Sequence, residues 1–133
     1  MKALLTVAVF AIVLVSAVLP AFAHHSFAAE FDSAQRVTLT GVVTKVEWTN
    51  PHVWFWVNVK DEKTDQLTNW GFEMGSPNAL QHDSGWTFNT MKVGMVVTVV
   101  ASRAKDGSNK ANTSSVTVNG KRLGGASSQG VVQ

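Results

Sequence analysis

Val37-Thr38-Leu39-Thr40-Gly41-Val42-Val43-Thr44-Lys45-Val46-Glu47-Trp48 is the stretch on which the fold turns. Apolar and β-branched residues recur at every second position, the pattern of a strand with one covered face. That face changes midway: Val37, Leu39, Gly41 and Val43 form one set, and Val42, Thr44, Val46 and Trp48 the other. Gly41 stands where the phase shifts. A long strand that swaps its buried side at a glycine lets a small barrel use one strand in two sheets, through a bulge.

Working outward, the alternation repeats. Asn50-Pro51 interrupts the pattern, because proline lacks a ladder donor and biases its predecessor toward extended geometry. From His52 to Lys60, Val53, Phe55, Val57 and Val59 fall on one face and His52, Trp54, Trp56 and Asn58 on the other. The polar turn Asp61-Glu62-Lys63-Thr64-Asp65 then leads to Leu67–Met74, with Thr68, Trp70, Phe72 and Met74 on one side. These three runs read as a meander. Gly75-Ser76-Pro77 signals a short helix or turn, with Ser76 as cap and Pro77 in the first helical position. Met95–Ala101 is a continuous apolar run, a buried fourth strand. Ser115–Val118 is the fifth, and Asn119-Gly120 is a primed hairpin turn into Lys121-Arg122-Leu123. The expected fold is mostly β: a small five-stranded, partly open, OB-like barrel with one short helix or turn insert. A sandwich would leave the bent first strand and the insert without purpose.

The chain opens with Met1-Lys2, an almost wholly apolar run from Ala3 to Leu19, a breaker at Pro20 and the small-x-small site Ala21-Phe22-Ala23. Residues 1–23 therefore read as a secretory signal peptide, and no membrane span is expected after cleavage. An uncut anchor would need no cleavage site. The mature chain then begins at His24, with an OB-like β domain over 24–123 and a Gly/Ser-rich flexible tail over 124–133. The periplasm or the cell exterior is the expected location.

Composition narrows the classes. The sequence has no cysteine, which removes thiolate metal sites, thiol redox chemistry and disulfide staples. Its formal charge of +2 includes Lys2, so the mature part carries about +1, with acids and bases interspersed. A nucleic-acid partner is not expected, because neutralising phosphates needs clustered Lys and Arg.

Several segments together resemble a bacterial family of exported proteins of unknown function. They are His24-His25-Ser26-Phe27-Ala28-Ala29-Glu30-Phe31-Asp32, Leu39-Thr40-Gly41-Val42-Val43, Val46-Glu47-Trp48-Thr49-Asn50-Pro51-His52, the Gly75-Ser76-Pro77 turn and Ala104-Lys105-Asp106-Gly107-Ser108. The resemblance covers nearly all of the mature chain, implies export and a small β-fold, and assigns no catalytic residue. Trp70 and Met74 are also similar to part of the site in small periplasmic copper-carrying OB barrels, which use a histidine, two methionines and a tryptophan. The second methionine is missing, since Ser76 stands there.

Two constellations carry the functional expectations. His24 would offer an α-amine and a ring nitrogen together, a chelate suited to Cu(II), with His25 and His52 completing a nitrogen-rich set; His82 is another donor but sits in a polar loop. Against this, a histidine doublet at a free end can be a loose terminus, and His52 can simply bond a backbone carbonyl. The alternative is an aromatic surface of Trp48, Trp54 and Trp56 for a protein or glycan, with no metal. Its bland counterpart is core packing. Glu47 and Glu73 could face each other across strands, but such pairs on a β-surface are more often ordinary solvated or salt-bridged groups; with no serine elbow or phosphate-cradling loop either, an enzyme is not expected. The expected function is an exported small binding protein, with copper as the most concrete ligand.

Overall fold

The structure, a computed structural model, describes residues 27–127. A short helix α1 (Phe27–Glu30) leads into β1 (Phe31–Glu47), followed by β2 (Trp54–Lys60) and β3 (Leu67–Glu73). Helix α2 (Pro77–Asp83) separates these from β4 (Val96–Ala104), β5 (Lys110–Val118) and β6 (Lys121–Gly124). β1, β2 and β3 form an antiparallel meander, β1 also pairs with β4, and β4 pairs with β5. A short parallel pairing of β3 with β5, Gly71 to Lys110 through Glu73 to Asn112, closes a ring of five strands. β6 lies outside that ring, on β5. This is the five-stranded OB-like barrel, with its helical insert between β3 and β4.

β1 does what the alternation foretold, at a different residue. Its first part pairs with β4 up to Val42, and from Gly41 it pairs with β2. The register against β2 slips between Val43 and Lys45, so Thr44 is the bulged residue. Before it Val37, Leu39 and Val43 face the core; after it Val46 and Trp48 do. Gly41 serves another end: a Cβ there would fall on the carbonyl of Asn58, so glycine permits the close approach of β2 where β1 changes partners.

Two boundaries also move. β1 starts at Phe31, with a second register shift between Phe31 and Arg36. β5 starts at Lys110 rather than Ser115, because closure against β3 and pairing with β4 bury the polar run that includes Asn112 and Thr113. Ladder bonds supply the partners that a polar segment needs when it leaves water.

The inward faces of all five strands make one core. Val53, Phe55, Val57, Phe72, Val97, Val99, Ala101, Ala111 and Val116 are fully buried or nearly so, and Phe55 stacks on Phe72 with ring centroids 5.2 Å apart. Burying these side chains supplies the main folding drive. α2 begins as its sequence signals: the Ser76 hydroxyl accepts from the Ala79 N–H at 3.2 Å, and Pro77 follows. Leu80 of α2 and Trp86 enter the core, and the Trp86 indole N–H donates to the Gly124 carbonyl at 2.8 Å. The fold runs past Leu123, since Gly125 both donates to Ser114 and accepts from Gly75. At the β5–β6 turn, Asn119 and Gly120 both have positive φ, 50° and 75°, as a primed turn demands.

Candidate ligand-binding face

With Val53, Phe55 and Val57 committed to the core, strand alternation places His52, Trp54, Trp56 and Asn58 on the outer side of β2. Trp54 and Trp56 are both half-buried and stack on each other, centroids 6.1 Å apart and planes at 27°. The floor beneath them is Gly71, the β3 partner of Trp56. A Cβ on Gly71 would stand 3.0 Å from the Trp56 indole nitrogen and 3.7 Å from a ring carbon of Trp54. The missing side chain thus lets both indoles lie over β3.

Polar groups frame the pair. On the β1 side, Lys45 sits across from Trp56 with its ammonium 4.7 Å from the ring centroid, and it is ion-paired with Glu47. Along β2, Asn69 donates through Nδ2 to the Asn58 side-chain oxygen at 2.8 Å and to the Thr44 hydroxyl at 3.1 Å. Glu47 and Glu73 do not meet. They are the β1 and β3 partners of Trp54 and flank it on opposite sides.

Beyond Trp54 a groove of about 540 Å³ opens between the α1–β1 junction and the β4–β5 loop, with Glu30, Lys105, Asp106 and Lys110 among its walls. The N-terminal wall is tied down, because Lys105 donates from Nζ to the Ala28 carbonyl at 2.6 Å and from its backbone to Glu30 at 2.9 Å. Asp106 is held below the usual carboxylate range by the Ser108 hydroxyl and backbone N–H, so it faces the groove as an anion at neutral pH.

His52 is anchored at the end of this face. Its Nδ1 lies 3.0 Å from the Met74 carbonyl and 3.2 Å from a Glu73 carboxylate oxygen. Both neighbours accept, so Nδ1 carries a hydrogen and Nε2 is the nitrogen left for anything outside. The carbonyl bond weighed from sequence is therefore present, together with an unforeseen carboxylate partner. His24 and His25 lie outside the described residues, and His82 is exposed at the end of α2. Among the described residues, no three His, Asp or Glu side chains group as a metal site. Trp70 and Met74, the pair similar to copper-carrying barrels, are both core residues; the Trp70 ring lies under the Arg103 guanidinium, 5.3 Å from its centroid.

Trp48 separates from the other two tryptophans. The bulge at Thr44 turns it inward at its edge, where it meets the exposed Phe88 edge-on at 6.5 Å in a second groove with Val46, Met91 and Val93. Sequence reasoning missed Gly71, Lys45 and Glu73 as parts of the face. Gly71 had a readable signal, an isolated glycine inside a strand pattern, which marks a close approach. The other two follow only from cross-strand register.

Among the described residues no helix is long and apolar enough to cross a membrane. A comparison with curated proteins gave no match. Among solved structures, the crystal structure of the mitochondrial single-stranded DNA binding protein Rim1 from S. cerevisiae is similar, with a TM-score of 0.47 and 11% identity over 67% of this chain and 94% of that one. The sequence model of a family of unknown function, DUF6152, matches residues 11–115, and with that match over most of its length the chain belongs to this family.

Proposed function

We propose that the protein is an exported, non-catalytic binding module that takes its ligand on the Trp54–Trp56 face. The observation that carries this reading is the stacked indole pair, half-exposed on the outside of a barrel whose core is already filled by other aromatics. Indoles that pack no core and stand half-exposed beside a polar rim are the usual anchors of recognition surfaces. Export rests on the apolar leader and its Ala21-Phe22-Ala23 site. The test is a binding screen of the mature protein against glycans and cell-envelope proteins, with Trp54→Ala and Trp56→Ala alongside. The variants should keep the thermal transition and lose the ligand by about tenfold or more; full binding by both would refute the face.

Copper at the mature terminus is a second reading, favoured by one observation: His52 is held through Nδ1 in the manner of a ligating imidazole whose other nitrogen is free. His24 and His25 would supply the remaining donors, as nitrogen-rich Cu(II) coordination requires. Isothermal titration of the mature protein with Cu(II) decides it. His24→Ala and one added residue before His24 should each weaken binding by well over tenfold, that is by more than about 1.4 kcal/mol.

A further inference from the structure

Resting on the reading that the Trp54–Trp56 face receives the ligand, we infer that the ligand is an uncharged, linear oligosaccharide chain running along β2. The shape of the floor points to sugar. Two residues apart on a strand, the indole centroids repeat at 6.1 Å, close to the length of one pyranose unit, and Gly71 leaves room for both half-exposed rings on the outside of β3. A pyranose presents flat patches of C–H that match aromatic faces, while its hydroxyls point sideways. Those hydroxyls would meet the Asn58–Asn69 amides and the Thr44 hydroxyl at one end and the polar walls of the groove at the other. The amide pair is pre-oriented by its own hydrogen bond, which limits the ordering cost of binding.

The charge pattern excludes a polyanion. Each lysine beside the platform has an acid near it: Lys45 with Glu47, and Lys105 and Lys110 in the groove that Glu30 and Asp106 also line. A field of mixed sign neither gathers phosphates nor attracts an acidic polymer. An extended peptide is disfavoured for a different reason. β2 pairs on both sides, with β1 and β3, and β3 pairs with β5 from Gly71 to Glu73, so the strands beneath the two indoles present no free edge for a peptide to join. The Lys45 ammonium over Trp56 belongs to an exposed side chain, and moving it aside costs little.

The test is tryptophan emission and calorimetry on the full mature chain with cellohexaose, xylohexaose, maltohexaose and chitohexaose, against polygalacturonate and a proline-rich peptide. The expected result is binding of at least one neutral hexasaccharide, with affinity steady between about 50 and 500 mM salt. Trp54→Ala and Trp56→Ala should each weaken it by about tenfold, and Lys63→Ala, an exposed residue of the β2–β3 turn, should change it by less than about twofold. Trp54→Phe, which keeps an aromatic face, should retain part of the affinity. Tryptophan-dependent binding of polygalacturonate or the peptide, with no neutral sugar bound, overturns the ligand class and leaves the face intact. Absence of any tryptophan-dependent binding across all six probes overturns both.

Discussion

Two glycines in the strands on either side of β2 show how differently a missing side chain works. At Gly41 the atom that a new Cβ would strike is the Asn58 carbonyl, part of a paired strand that cannot step back. Gly41→Ala should therefore cost more than about 4 kcal/mol, the range reserved for a rigid clash, and urea denaturation should show a marginal or unfolded chain. At Gly71 the nearest atom is the Trp56 indole nitrogen at 3.0 Å, at the rim of a half-exposed ring that can tilt. Gly71→Ala should leave the fold in place, shift tryptophan emission and weaken ligand binding severalfold. Asp61 gives a pH prediction at the same scale. Its carboxylate accepts from the backbone N–H groups of Thr64 and Lys63, and the first of these does most to hold its pKa below 3.8. A depressed folded pKa stabilises above the unfolded value and loses that effect as pH falls through the folded one. Asp61→Asn should lower Tm at pH 7, and the gap to the parent should close as the pH falls through and below the ordinary carboxylate range, followed by circular dichroism. The exchange of buried face along β1 was legible in the sequence. Its position was not, because a bulge at Thr44 is fixed by register against β2, which no single strand's pattern contains.

At the level of elements, what the alternation foretold held in β2, where Phe55 and Val57 are buried and Trp54, Trp56 and Asn58 lie on the outer face. It failed at the start of β5, where Asn112 and Thr113 are buried polar residues that lie ahead of the strand expected from Ser115 on. Their burial depends on β3 and β4 arriving on both sides, a fact of closure rather than of local sequence. The same dependence secures β6 and the chain beyond it. Trp86, almost wholly inside, reaches from the end of α2 to the Gly124 carbonyl at 2.8 Å, so one indole N–H ties the helical insert to the last strand. Trp86→Phe keeps most of the apolar volume but leaves that carbonyl without its donor. The expected loss is about 1–3 kcal/mol from the unpaired acceptor, with a further contribution from the smaller ring. Urea denaturation should show a lower midpoint at an unchanged slope, since the surface exposed on unfolding stays the same.

Across the whole molecule, closure of the barrel decides which surfaces remain for function. All five ring strands spend their inner faces on the core, so recognition falls to the outer face of β1–β3 and to the groove beside α1. The two functional readings meet there, because Phe27 begins the described chain close to the groove that Trp54 lines. His24 lies three residues upstream of Phe27, so its α-carbon stays within about 11 Å of that of Phe27 at full extension. Lys105 fixes this origin through its bond to the Ala28 carbonyl. A copper site built by the fold must therefore depend on His52 and on Lys105, whereas a chelate formed by the terminus alone depends on neither. His52→Ala and Lys105→Met should each weaken Cu(II) binding by about tenfold if the fold assembles the site, and electron paramagnetic resonance should show one fewer nitrogen ligand in the His52 variant. Lys105→Met removes a surface tie and should leave Tm within about 2 °C of the parent, which separates loss of the tether from loss of the barrel. If both variants bind copper as the parent does, the metal belongs to the terminal peptide, and the stacked tryptophans are left as the recognition element of the barrel itself.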